Sequence, residues 1–349
     1  MPAIGEVWSA SNPADMVAPM RHALVPIPCK PWLLNGLSER MVVSHYENEY
    51  GAAVRSLNAI QEALATVDLK AAPAYQIRAM KQEELATRGS VLLHELYFSV
   101  LGGDGGAVFT GSGPGTGIAE SVSNVLSQHF GTVREWRQEF VALANALAGG
   151  PGWVVLSYCR VDARLYNQIA NDHTHAMVDA IPLLALDMYD HAYHLDFGAN
   201  ASAYVDAFMR NINWTVVADR LTESLGRGSP SRATERREDD LPSVSVEELM
   251  DDLSKTDGIQ VLDARPRHYF SRSTDMMTGA TWHDPDRIDE WTKELAPDSP
   301  VVVYCAYGYS VGCGVVANLR ERGFDARYVR GGLAAWYAAG GERSLKPRT

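Results

Sequence analysis

Two places in this 349-residue chain carry side chains whose types and spacing could do chemistry. In the first, the apolar run Ile181-Pro182-Leu183-Leu184-Ala185-Leu186 leads into Asp187-Met188-Tyr189-Asp190-His191. The run reads as a buried strand. An acid at its end, with a histidine four positions on, can aim an oxygen and a nitrogen at one point. That is half of a site for a hard-to-borderline cation. The residues alone leave equally open a carboxylate that orients a structural histidine. In the second place, Pro300-Val301-Val302-Val303-Tyr304 reads as a buried strand, Cys305-Ala306-Tyr307-Gly308-Tyr309-Ser310 as a loop, and residues 311–322 as a helix. Backbone N–H groups ring a cysteine between a strand end and a helix start. With the helix dipole they favour a thiolate or a bound oxyanion. An inert buried cysteine is the competing reading.

The elements that must position these groups follow from periodicity. In residues 38–65, Met41, His45, Ala52, Leu57, Ile60 and Leu64 recur at three- and four-residue steps, which is a helical pattern. Residues 72–100 form a second helix candidate, with His94 in Leu92-Leu93-His94-Glu95-Leu96-Tyr97-Phe98. A lone histidine on an apolar helix face is more often a satisfied core residue than a ligand. The glycines at 102–116 read as a flexible connection, since no lysine follows at phosphate-loop spacing. Helices at 119–130 and 136–147 then lead to the strand Trp153-Val154-Val155-Leu156. Val25-Pro26-Ile27-Pro28-Cys29-Lys30-Pro31-Trp32 is too rich in proline for helix or central strand, and residues 1–24 read as an irregular arm.

Residues 226–240 hold no large apolar side chain and many charges, the composition of a linker. Beyond it, Ser245-Val246-Glu247-Glu248 is a capping-box pattern. Strands at 260–265, 300–304 and 327–329 alternate with helices, the mark of a parallel α/β sheet. The length suits two domains. A net charge of -12 argues against nonspecific nucleic-acid binding. No apolar run is long enough to span a membrane, and the first residues carry no secretory pattern. Cys29, Cys159, Cys305 and Cys313 are scattered rather than framed as disulfides, so a reducing cytoplasm is expected.

Asp187-x-x-x-His191-Ala192-Tyr193 resembles the Asp-x-Trp-Glu-His-Ala-Tyr signature of the iron/manganese superoxide dismutases, with Tyr189 for the Trp and Asp190 for the Glu. The landmarks continue in order: Ser44-His45-Tyr46 through Asn58, His94 before Gly102-Gly103, Gly152-Trp153, and Asn213-Trp214. The resemblance covers residues 25–225. It implies a helical hairpin (25–101) followed by an α+β lobe (117–225). It implies one Fe ion per chain, or Mn, held by His45, His94, Asp187 and His191, with superoxide as substrate. Trp153 would wall the metal pocket. His173, or Asn171 if the register slips, would hydrogen-bond the metal-bound solvent. The family's tyrosine on the proton path falls on Ala53, and its gateway histidine on Glu49. A homodimer is implied; Asp190 stands for the Glu that reaches the other subunit, a contact that its shorter side chain must tighten or break, while Glu49 and His194 could instead pair across the interface.

Residues 241–341 resemble a rhodanese domain through Leu262-Asp263-Ala264-Arg265-Pro266, Gly279-Ala280, Tyr304-Cys305 with its six-residue loop, and Gly331-Gly332-Leu333-x-x-Trp336. Cys305 would carry sulfur from a sulfane-sulfur donor or bind a small oxyanion. Ser310 replaces the usual loop arginine, which puts anionic donors in doubt. Cys313 reads as structural. The fold class expected is thus a multidomain chain, α-hairpin plus α+β and then an α/β parallel sheet. Its function is a dismutase fused to a sulfur-carrying domain in oxidative-stress defence. The second reading is a slow or inactive metal-binding module that senses oxidants or sulfur. Similar sequences accompany bacterial chromate-resistance systems.

Overall fold

The computed structural model describes residues 21–102, 120–175, 177–226, 241–256 and 258–347. The proposed arm up to residue 20, most of the glycine-rich connection and the linker at 227–240 lie outside the described residues. The chain starts with α1 (Glu39–Ser44), capped by Ser38, whose hydroxyl accepts from Met41 N. It passes without a break through a π-helical segment, His45–Tyr50, into α2 (Gly51–Thr66). Periodicity reads this stretch as one helix; the π segment is a finding of the structure, and such segments inside α-helices frequently sit at functional sites. The long α3 (Ala74–Ser99) returns beside α2 to complete the hairpin.

Helices α4 (Glu120–Phe130) and α5 (Val133–Ala146) precede a sheet of β1 (Trp153–Cys159), β2 (Arg164–Ala170) and β3 (Ala180–Asp187). Its order is β2-β1-β3 and both pairings are antiparallel. All of β1 is buried, as a central strand covered on both faces must be. The register sets Trp153 opposite Asp187. Short α6 (His194–Phe197), then α7 (Ala201–Arg210) and α8 (Trp214–Ser224), close this part. Asn213 caps α8, and Trp214 packs edge-on to Trp136 with centroids 5.4 Å apart.

In the second part β4 (Ser243–Val244) leads to α9 (Val246–Lys255), whose Ser245–Glu248 capping box forms in full. Next come β5 (Gln260–Asp263), α10 (Arg267–Arg272), β6 (Asp275–Met277), β7 (Thr281–Trp282) and α11 (Ile288–Trp291). Then follow β8 (Val301–Tyr304), α12 (Ser310–Glu321), β9 (Ala326–Val329), α13 (Gly332–Ala338) and β10 (Arg343–Leu345). Five strands form a parallel sheet in the order β4-β9-β8-β5-β7. The Asp263–Arg265 pair is fully buried, with Nη2 to Oδ2 at 2.6 Å.

The two parts are joined through packed surface. Helix α13 lies on the π segment and the start of α2. A Cβ on Gly51 would stand 2.5 Å from the Ala338 carbonyl oxygen, so only glycine admits this approach. Arg55 donates to the same carbonyl, and Glu47 pairs with Arg343 at 2.9 Å. Tyr307, Ala334 and Ala338 belong to one apolar cluster with the core of the N-terminal part. Among the described residues no helix is long and apolar enough to cross a membrane.

Candidate functional site

Four elements converge on one point. The π segment brings His45, α3 brings His94, the end of β3 brings Asp187, and the turn Asp190–Ala192 brings His191. One ligand atom from each lies within 4.8 Å of all the others. Asp187 Oδ1 accepts from the N–H of Tyr189 at 2.9 Å, which turns Oδ2 inward. There it meets Nε2 of His45 at 3.1 Å, of His191 at 3.1 Å and of His94 at 3.7 Å. The Nδ1–H of His94 donates to the Ser90 carbonyl at 2.7 Å, so its Nε2 presents a lone pair to the centre. Nε2 of His45 and of His94 is buried and makes no hydrogen bond.

Burial pushes His45 below its ordinary range and His94 down to about 3. Burial also works against the charge on Asp187. The imidazoles of His191 and His45 outweigh it and hold the carboxyl below the usual carboxylate range. Lone pairs and a carboxylate aimed at one another repel unless a cation lies between them. Three nitrogens and one oxygen are a donor set for one borderline ion such as iron or manganese, rather than for a thiolate-bound metal. The residues therefore fit a single metal.

Aromatic rings enclose this point. Trp153 meets His94 edge-on at 5.2 Å. His173, Tyr189 and His191 form a stack, with centroids 5.0 and 5.3 Å apart and planes within 13° and 11°. His173 Nε2 is buried without a hydrogen-bond partner, whereas Asn171 is exposed. The His173 loop can approach because α3 has a glycine facing it: a Cβ on Gly89 would lie 1.8 Å from the His173 carbonyl oxygen. Helical periodicity alone does not mark Gly89; a glycine in the middle of a good helix was the available signal. Gly89→Ala should push this loop outward and cost about 1–3 kcal/mol by overpacking, read as a lower urea midpoint. An unchanged midpoint would mean the loop moves freely.

Glu49 places Oε2 3.7 Å from Nδ1 of His191 in the same chain. His194 is exposed. Asp190 accepts from the Tyr193 hydroxyl at 2.9 Å.

Residues 118–220 match the family model described as iron/manganese superoxide dismutases, C-terminal domain. An iron superoxide dismutase of Cupriavidus metallidurans is 45% identical over 206 residues, 59% of this chain and 99% of the relative. The chain belongs to the iron/manganese superoxide dismutase family. Its similarity to dismutases extends to an iron enzyme of Aquifex pyrophilus, 32% identical over 56% of this chain and 89% of the relative. A manganese enzyme of Halobacterium salinarum is 28% identical over 52% and 85%. Unlike the length of these dismutase relatives, the chain continues into residues 245–339, which match a rhodanese-like domain.

In that domain Cys305 follows β8 and is 5% exposed. Its sulfur contacts the carbonyl oxygen of Tyr309 at 3.8 Å. Gly332, at positive φ, lets α13 close on the loop: a Cβ there would meet the Cys305 carbonyl oxygen at 2.4 Å. The loop's tyrosines turn to the dismutase part. Tyr307 stacks on Trp32 at 5.5 Å and shares hydrogen bonds with Glu39 (2.5 Å) and Tyr269 (2.9 Å). The Tyr309 hydroxyl donates to the carbonyls of Ile27 and Cys29. Cys29 is buried, and burial pushes its thiol up to about 12; Cys313 is buried in the apolar cluster under the sheet. A cavity of about 270 Å³ beside the loop is lined by Ser310 and Asp286 and, among the described residues, by no cationic side chain.

Proposed function

We propose that this chain is a superoxide dismutase with one iron, or manganese, held by His45, His94, Asp187 and His191. The domain limits are 25–225 and 241–341, joined by 226–240. The observation that carries the reading is the convergence of three imidazole nitrogens on one buried carboxylate oxygen, in a chain 45% identical to an iron dismutase. When bound, an ion that cycles between two and three plus supplies the exchange of electrons between two superoxide ions: 2 O₂•⁻ + 2 H⁺ → O₂ + H₂O₂. The chain's own residues do the rest. Asp187 and the three histidines would fix the ion, and Trp153 and Tyr189 wall the site beside them. His173, whose Nε2 is buried without a partner, would hydrogen-bond solvent held by the ion. The test is superoxide consumption by purified, metal-loaded protein against the metal-free form; no difference between the two would refute the assignment.

The exposed side of the site supports a homodimer: His191 is 24% exposed, against 0–2% for the other three metal-binding side chains. Cys305 carries sulfane sulfur in the same protein, in the cytoplasm, as part of oxidative-stress defence. With Ser310 in the loop and no cation lining the adjacent cavity, thiosulfate should be a poor donor. Mass spectrometry after incubation with an organic persulfide should find one added sulfur on Cys305. Modification of Cys313 with Cys305 untouched would reverse the assignment. Ala53 and the clamped Cys305 loop favour one alternative, a slow metal-binding module that senses oxidants or sulfur, including in chromate resistance.

A further inference from the structure

We propose that Tyr309, Tyr307 and Glu39 set the size of the sulfur donor that Cys305 accepts. They fasten the loop around its sulfur to the dismutase part, so a small organic persulfide reacts directly and a bulky one reacts only when this joint opens. The inference rests on the sulfur-carrying reading of Cys305 above. The reaction is Cys305–SH + R–S–SH → Cys305–S–SH + R–SH. The donor's S–S bond breaks, a new one forms on Cys305, and the thiol proton leaves with R–SH. Such exchange depends on access to the sulfur under attack, so the group R needs free space above Cys305.

Little of that space exists, since Cys305 is buried. Tyr309 is tied at both ends. Its backbone carbonyl lies 3.8 Å from the Cys305 sulfur and accepts from the Cys313 N–H at 3.3 Å. Its hydroxyl donates to the carbonyls of Ile27 and Cys29 in the dismutase part. A shift of Tyr309 off the sulfur therefore breaks bonds to the other part of the chain. Tyr307 adds a second tie. Its ring stacks on Trp32, and its hydroxyl, that of Tyr269 and Oε1 of Glu39 lie in mutual hydrogen-bond reach. Two phenolic protons are shared there among three oxygens. Burial, and then the bond to Glu39, hold both phenols above their ordinary range, so they stay donors. On the loop's other side the N–H groups of Leu333 and Ala334 bond the carbonyls of Cys305 and Ala306 at 2.9 and 3.0 Å. The loop is thus pinned between its own α13 and the dismutase part, and only the second of these contacts can part without unfolding the domain that carries Cys305.

The test uses full-length wild type, Tyr309→Phe, Glu39→Gln and, as a destabilised control away from the joint, Gly89→Ala. Each is incubated with cysteine persulfide and, separately, with the larger glutathione persulfide, and mass spectrometry follows the sulfur added to Cys305 over time. The readout is the glutathione persulfide rate divided by the cysteine persulfide rate, which cancels differences in the folded fraction. Losing one hydrogen bond from the closed joint favours its opening about three- to tenfold, so the ratio should rise by that factor in Tyr309→Phe and in Glu39→Gln. Gly89→Ala should keep the wild-type ratio. A wild-type ratio in both joint variants would overturn the proposal and leave sulfur carriage standing, as would an equal rise in Gly89→Ala. No added sulfur on Cys305 from either donor would overturn both readings.

Discussion

Replacing His191 by alanine is expected to leave the purified protein with almost no bound iron or manganese. The change removes one of four donors and the nitrogen 3.1 Å from Asp187 Oδ2. The remaining set of two histidines and a carboxylate keeps its buried lone pairs but loses the donor on the open side of the site. Metal binding to the folded state contributes to stability by mass action, about 2.7 kcal/mol at a hundredfold excess over Kd. The variant should therefore fail to gain in melting temperature when the ion is added, whereas wild type gains several degrees. Metal content and thermal unfolding with and without added Mn²⁺ check this. One equivalent of metal in the variant would remove His191 from the site.

The second large effect concerns rate. Dismutation delivers two protons to the product peroxide, and positioned proton transfer typically contributes about 10²–10⁴-fold. The resemblance places a tyrosine hydroxyl where this chain has Ala53, a half-buried methyl group packed against the core. Ala53 cannot donate. Tyr50, one turn earlier, is buried and gives its hydroxyl proton to Glu95 at 2.8 Å, so it is committed elsewhere. Water held by polar partners can partly substitute. Metal-loaded wild type should then turn over superoxide below the rate of the iron dismutase relatives, and Ala53→Tyr should raise it toward theirs if the ring is accommodated. Pulse-generated superoxide decay measures both. A wild-type rate equal to those relatives would show that another group supplies the proton; zero turnover in fully metallated protein would favour the sensing alternative.

Much of this was legible before any coordinates. Asp187 and His191 are close in sequence and share a strand end, so their convergence is a local matter. His45 and His94 stand on successive helical stretches of the hairpin, and the four candidate side chains lie together in the structure. The Ser245–Glu248 cap forms because both partners lie within four residues. What escaped the reading was nonlocal or irregular. The π segment changes hydrogen bonding without changing composition, and Glu49 finds His191 only because that segment lies beside the turn. Gly89 matters for a loop more than eighty positions away. The contacts of Tyr307 and Tyr309 with Trp32, Ile27 and Cys29 join residues some 280 positions apart, and no short-range pattern announces them.

The packed joint between the two parts has a consequence for how the protein is made. The N-terminal part is fully synthesised once residue 225 has left the ribosome, yet the face of its first long helix around Gly51 awaits α13. At about 5–20 residues per second, the intervening chain takes roughly ten seconds to appear. Through that interval Ala338 and Tyr307 are missing from an apolar cluster they later complete. The early intermediate thus exposes a bare seam beside the segment that carries His45. Completion of the C-terminal part closes the seam. The finished chain should then melt in one calorimetric transition rather than two.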